Sequence, residues 1–211
     1  MPTLLRIDAS ISGTASRTRR ITQAFTDAWS ARGPEFAVVS RDLAADPIPH
    51  LPDAALHWPA RMRPADAAPP AAAEALQAEL IAELVAADVL LLGAPMYNYS
   101  LPSTLKAWID HVHVPGVTAD FDEPAHPLAG RPAIIATACG ASYEPGGPTD
   151  GWDHTVPPLE LVLGTAFRMQ VEVVATELTL ADTIPAMAGM REAAAEQLEA
   201  AVERARALAA R

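Results

Sequence analysis

One cysteine, Cys139, stands in 211 residues, so the chain has no intrachain disulfide and no zinc or iron–sulfur site built on several cysteines. Cationic side chains are also scarce: 15 Lys and Arg face 26 Asp and Glu, a formal net charge of -11. Nucleic acid and anionic membrane surfaces both demand a basic footprint, which excludes them as general partners, although one local anion site stays open. Long apolar runs are missing too. The longest, Val85–Pro95, is interrupted by Asp88 and falls far short of the ~20 residues that span a bilayer. Met1–Asp8 meets charge too early for a secretory signal. These absences together predict a cytoplasmic globular protein.

What is present is skewed. Apolar residues make up 50% of the chain but aromatics only 5%, and about one residue in five is alanine. Alanine buries little area, so the core has to come from the clusters of Leu, Ile and Val. A chain of this length buries roughly 70% of its unfolded surface, enough for one full core without a metal or disulfide staple.

Strands and helices alternate along the sequence. Short apolar runs at Leu4–Asp8, Phe36–Val39, Asp88–Gly93, Pro132–Ala138 and Gln170–Leu178 read as strands, several of them buried on both faces. Between them, helical spacing appears from the N-cap Ser16 to about Arg32, over Ala71–Ala87 and over Ser103–Val112. Further helices run from the Pro157-Pro158 pair to about Arg168 and over Arg191–Arg211. Arg41–Pro70, rich in Pro and Ala, reads as an ordered excursion over the sheet. This alternation predicts an α/β protein with a parallel sheet and helices on both faces. Right-handed crossovers then gather the loops after the first, third and fourth strands at one carboxyl edge, with Trp58, Trp108 and Trp152 expected to flank the cleft.

Those loops hold the unusual residues. The first, Asp8 to Thr18, carries five hydroxyls and no carboxylate beyond Asp8. A strand-to-helix turn there points free backbone N–H groups at an anion, with Ser10, Ser16 and Thr18 as hydroxyl donors and Arg17 as a counter-charge. The same residues also suit a plain helix cap. The loop lacks both the lysine of a P-loop and the three-glycine dinucleotide fingerprint. After the third strand, Ala94-Pro95-Met96-Tyr97-Asn98-Tyr99-Ser100 concentrates two of the three tyrosines. His111 and His113, two apart on a helix, point in different directions and make a poor metal pair, and no metal site is expected. Cys139 reads as a buried, inert thiol. His154 and Tyr143 lie near enough to the Gly-Pro loop either to polarise an acceptor oxygen or simply to pack.

Taken together, these loops resemble the FMN-dependent NADH-azoreductase family, flavodoxin-like flavoenzymes related to NAD(P)H:quinone reductases. The resemblance covers nearly the whole chain. It rests on Ser10 with Ser16-Arg17-Thr18, on Asp42-Leu43-Ala44-Ala45-Asp46-Pro47-Ile48-Pro49, on Ala94 to Tyr99, and on Gly147-Pro148-Thr149-Asp150. It implies one flavodoxin-like domain over residues 1–211: a three-layer sandwich whose five-stranded parallel sheet has the order 2-1-3-4-5. It further implies an FMN phosphate at Ser10, Ser16, Arg17 and Thr18, and a flavin ring along Pro95, Met96, Tyr97, Asn98 and Tyr99. Ala138, Cys139, Gly140 and Ala141 would border the other end of the ring, and Phe121, Tyr143 and Trp58 the substrate pocket. Hydride then passes from NADH or NADPH through the flavin to a quinone or azo compound in a homodimer with sites at its interface, and no side chain acts as catalyst. A flavodoxin-like electron carrier and a non-catalytic FMN-binding protein are the alternatives. The chain departs from the family at Ala138-Cys139-Gly140-Ala141, where Ser-Arg-Gly-Gly is common, and after Gly116-Val117-Thr118, where an aromatic often follows.

Overall fold

The computed structural model describes residues 1–121, 126–144 and 146–211. Five strands form one parallel sheet in the order β2-β1-β3-β4-β5: β1 is Thr3–Asp8, β2 Ala37–Asp42, β3 Val89–Pro95, β4 Pro132–Ala138 and β5 Gln170–Thr176. The long helices are α1 (Arg17–Ser30), α2 (Ala71–Ala86), α3 (Ser103–Val112) and α5 (Arg191–Ala209), with a short α4 at Val156–Glu160. The expected sheet order, parallel pairing and helical layers are all present.

The apolar runs become central strands because their alternate side chains feed two separate cores. On one side, Leu5, Ile7, Leu90, Leu92 and Ile135 meet Leu80 and Leu84 of α2 and Leu105 and Trp108 of α3. On the other, Leu4, Leu91 and Ile134 meet Ile21, Phe25 and Trp29 of α1 and Leu198 and Val202 of α5. Each buried large side chain contributes about 1.5–3 kcal/mol relative to exposure, before ordering costs. Alanine is useful at the contact of α1 with α5, where buried Ala24, Ala201 and Ala205 lie among the larger side chains.

Three differences from the sequence reading have physical causes. β2 reaches Asp42 rather than Val39: at the sheet edge, exposed Ser40 and half-buried Arg41 continue the ladder without an apolar signal. β5 stops at Thr176, and Leu178 then turns the chain with a left-handed φ of 58°. The helix expected to reach Arg168 is α4 followed by a π-helical turn at Leu161–Ala166. Trp108 also stands apart from the cleft it was expected to flank, fully buried on the core-facing side of α3.

The 43–70 excursion is ordered through its anchors. Leu43, Ile48 and Leu56 are buried, Gln77 of α2 donates to the Leu56 carbonyl at 2.9 Å, and the His111 ring lies 2.9 Å from the Pro49 carbonyl.

At the carboxyl end of β1, Asp8 is 5% exposed and accepts hydrogen bonds from Thr22 Oγ1 and Arg6 Nε, each at 2.8 Å. Gly93 on β3 leaves the room it needs, since a Cβ there would fall 2.4 Å from Asp8 Oδ1. Replacing Gly93 with alanine should displace this carboxylate and destabilise the fold by about 1–3 kcal/mol, as overpacking does. Thermal unfolding should show the loss as a fall of several degrees in Tm; an unchanged Tm would mean that the carboxylate relocates freely.

Candidate functional site

The loop after β1 makes one 3-10 turn at Gly13–Ala15 and then places Ser16, extended at φ -69° and ψ 124°, as the N-cap of α1. Ser16 Oγ accepts from the Arg19 N–H at 3.2 Å and lies 3.0 Å from Thr18 Oγ1. The first-turn N–H groups of Arg17 and Thr18 have no acceptor within the helix, and the helix dipole makes that end favourable to negative charge. The loop is held from behind. Arg19 donates to both Asp42 oxygens at 2.7 Å and to the Ser10 carbonyl at 2.8 Å. The hydrogen bond from Arg19 keeps the Asp42 carboxyl below its ordinary range, while the same pair raises the Arg19 guanidinium.

At the end of β3, Tyr97 and Ser100 exchange backbone hydrogen bonds of 2.8 and 3.1 Å around a tight turn. Both central residues are left-handed, Asn98 at φ 49° and Tyr99 at φ 69°, as a type I′ turn requires. Asparagine tolerates this region, whereas a tyrosine there is strained, a feature that accompanies functional sites. The turn ties to the first loop through the Tyr97 phenol, which accepts from the Ile11 N–H at 3.0 Å and lies 3.3 Å from Ser10 Oγ. It ties to the later loop as well: His154 N–H donates to the Tyr99 carbonyl at 2.8 Å, and Ser100 Oγ donates to the His154 carbonyl at 3.1 Å.

After β4, Cys139 is buried; its N–H donates to the Thr176 carbonyl at 3.1 Å and its Sγ lies 3.2 Å from the Ala141 carbonyl. Burial, reinforced by Glu177 and Asp153, pushes its thiol up to about 12. Burial likewise raises the Tyr143 phenol, with lesser contributions from Cys139 and Tyr99.

These elements enclose a cavity of about 360 Å³ at the carboxyl edge of the sheet. Of the expected cofactor residues, it is lined by Ser10, Ser16, Arg17 and Thr18 from the first loop, Pro95, Met96 and Tyr97 from the second, and Ala138 from the third. Asn98 and Tyr99 sit beyond it in the turn, and Cys139, Gly140 and Ala141 are outside the lining. Tyr99 packs edge-on against Trp152, with ring centres 5.6 Å apart. Trp58 and Phe121, expected in the substrate pocket, do stand together with ring centres 5.3 Å apart, yet neither lines the cavity. Trp58 instead borders a separate groove of about 490 Å³ with Arg63 and Val117. Tyr143 is also outside the cavity, its N–H donating to Glu177 Oε1 at 3.2 Å.

A fourth wall was missed. Thr179, Leu180, Asp182 and Thr183, between β5 and α5, line the same cavity. Leu180 crosses directly over Gly140, where a Cβ would meet its Cδ1 at 2.8 Å. This wall also changes the role of Arg17, expected as a free counter-charge. Its guanidinium donates to Asp182 at 2.7 Å and to the carbonyls of Ala194 at 3.0 Å and Glu177 at 3.3 Å, so it fastens the wall to the first turn of α1. The available signal was a pair of threonines and an acid just past a strand end at the carboxyl edge.

The cavity joins hydroxyls and free N–H groups of the first loop to an apolar lining of Met96, Leu180 and Ala138. The family model described as a flavodoxin-like fold matches residues 2–208. A curated relative from Kineococcus radiotolerans, named an FMN-dependent NADH:quinone oxidoreductase, is 53% identical over 99% of both chains. Another of that name from Frankia alni is 44% identical over 89% of each. Among solved structures, an azoreductase from Bacillus anthracis superposes with a TM-score of 0.81 at 21% identity, covering 100% of this chain and 99% of that one. An FMN-dependent NADH-azoreductase from the same species, in complex with FMN, superposes at 0.75 with 18% identity over 97% of this chain and 100% of that one. With a model match over residues 2–208 and a 53% identical relative of the same length, the chain belongs to the flavodoxin-like fold family.

Proposed function

We propose that this protein is an FMN-dependent NADH:quinone oxidoreductase that also reduces aromatic azo compounds, built as one domain over residues 1–211 and working in the cytoplasm. The observation that carries this reading is a single cavity in which the hydroxyl-bearing first turn of α1 meets Met96 and Tyr97 from β3. The full-length 53% identical relative supplies the name of the reaction. Bound FMN would supply the redox chemistry, accepting hydride from the nicotinamide and returning two electrons to the acceptor.

The residues of the chain bind, orient and exclude water. Ser16, Thr18 and the free N–H groups of Arg17 and Thr18 suit the phosphate. Met96 and Tyr97 give the ring a wall, while Leu180 and Ala138 reduce water access from the other side. Asn98, Tyr99, Cys139, Gly140 and Ala141 join the ring's surroundings through the two loops that carry them, with Phe121, Tyr143 and Trp58 toward the acceptor. The Cys139 thiol stays protonated near neutral pH and takes no part as a nucleophile. The half-exposed rings of Tyr99, Trp152 and Phe121 support a homodimer that covers them.

Purified protein titrated with FMN should turn yellow, and NADH oxidation should then depend on added quinone. Failure to take up FMN would end this reading, and NADH oxidation that requires a partner reductase would favour an electron carrier. The phosphate end is tested with Ser16→Gly, since glycine costs an N-cap only a few tenths of a kcal/mol. It should weaken FMN about tenfold more than riboflavin; equal losses would place the phosphate elsewhere. Alkylation of Cys139 offers a pH-resolved check. A buried thiol pushed from 9.0 up to about 12 is protonated at pH 8, so folded protein should react with iodoacetamide much more slowly than unfolded, and equal rates would show an open, ionised thiol. The same shift lowers stability as pH rises from 9.0 to about 12, where only the unfolded thiol is ionised. Light scattering should give the mass of two chains, and the mass of one chain would refute the dimer.

A further inference from the structure

An ion pair spans two walls of the cavity at the carboxyl edge of the sheet. Arg17 in the first turn of α1 and Asp182 in the segment after β5 both line it, with Arg17 Nη2 2.7 Å from Asp182 Oδ2. The pair is asymmetric. The arginine side chain is 10% exposed and the aspartate side chain 59%, so the cation lies inward and the anion on the solvent side. Asp182 Oδ1 makes no hydrogen bond among the described residues, which leaves unshared negative charge at the outer end of the pair.

Both halves are held in place. Arg17 Nη1 donates to the Ala194 and Glu177 carbonyls at 3.0 and 3.3 Å. The segment that carries Asp182 is pinned to the loop after β4, where the Thr179 and Leu180 N–H groups donate to the Cys139 and Gly140 carbonyls at 3.1 and 3.2 Å. Arg191 Nε donates to the carbonyl of buried Ala181 at 3.0 Å. A ligand that needs more length past the first turn of α1 therefore has to break the ion pair, because the wall recedes only by losing these bonds.

The two common flavin cofactors differ in that length. FMN ends in a phosphate monoester, whereas FAD continues from the same phosphate through a second one to adenosine. Resting on the phosphate position proposed above, we propose that the Arg17–Asp182 pair limits the length of the cofactor, admitting FMN and refusing FAD, with Asp182 as the specificity-determining residue. The monoester needs the Ser16 and Thr18 hydroxyls and the first-turn N–H groups, none of which the pair consumes. A second phosphate would meet the unshared oxygen of Asp182, and like charges repel within a screening length of about 8 Å. Selectivity then comes from a repulsive element set against the wrong ligand rather than from an added contact to the right one.

The test equilibrates the full chain with equimolar FMN and FAD, then releases the bound flavins and counts them by chromatography. Wild type should hold FMN over FAD by at least about a hundredfold. Asp182→Ala, a change at an exposed side chain, should cut that ratio at least about tenfold while FMN affinity stays within about threefold. Asp182→Glu, which restores the anion, should restore the preference. Equal uptake of both flavins by wild type overturns the proposal, as does an unchanged ratio in Asp182→Ala. A parallel loss of both flavins in that variant also overturns it, since the pair would then only support the wall. Each of these results leaves the functional reading standing, whereas a chain that takes up neither flavin overturns both. Crystals of the wild-type FMN complex should keep Arg17 and Asp182 in contact, and a phosphate lying beyond a broken pair refutes the limit.

Discussion

A buried carboxylate organises the functional end of this molecule. Asp8 closes β1, and its two oxygens hold Thr22 of α1 and Arg6 of β1, while its register partner on β3 is Gly93, where a Cβ would crowd the carboxylate. A carboxylate this deep is tolerated only when it is paired and hydrogen-bonded, and removing a partner from such a group is costly. The partners here join the sheet to α1 at the point where the anion-facing loop leaves the strand. Arg19, 4.0 Å from Asp8, continues the network to Asp42 at the end of β2 and to the Ser10 carbonyl. The loop between β1 and α1 is therefore fixed at its root before any ligand arrives.

The same principle extends across the site. The Tyr97 phenol fastens the strained turn after β3 to Ile11 in the first loop, and Arg17 fastens the segment after β5 to the start of α1. Every wall of the cavity is thus joined by a hydrogen bond to the first loop or to the helix it caps, except the short stretch at Ala138, which the Met96 N–H holds through its carbonyl at 2.9 Å. Preorganisation of this kind lowers the ordering cost of binding.

How much of this could be read from the chain depended on whether a signal was local. Leu4, Leu5, Ile7 and Leu90–Leu92 declare central strands because burial on both faces leaves an uninterrupted apolar run. Ser16 declares an N-cap by its type and position alone. The edge strand β2 carries a weak signal because none of its side chains is fully buried, so Ser40 and Arg41 look like loop. Trp108 could not be placed by type, since a tryptophan suits both a cleft and a core. The wall at Thr179–Thr183 was invisible for a stronger reason. It is created by a left-handed turn at Leu178, where no glycine announces it, and by an ion pair between residues 165 positions apart. Long-range pairing is the part of a site that one sequence read alone does not carry.

That pairing also bears on how an acidic protein would present the proposed phosphate site. The two arginines nearest the first loop are already matched, Arg17 with Asp182 and Arg19 with Asp42. Each pair sums to no net charge, so neither guanidinium is left as the main attraction for a phosphate. Selectivity passes instead to neutral donors: the Ser16 and Thr18 hydroxyls and the unshared N–H groups of the first helical turn. Such donors are directional and lie at a helix N-terminus whose partial charge salt screens but does not neutralise. On the proposed reading, a chain of net charge -11 would hold the phosphate by geometry where a basic protein would rely on charge. It also explains why composition alone excluded general polyanion partners yet left this one site open.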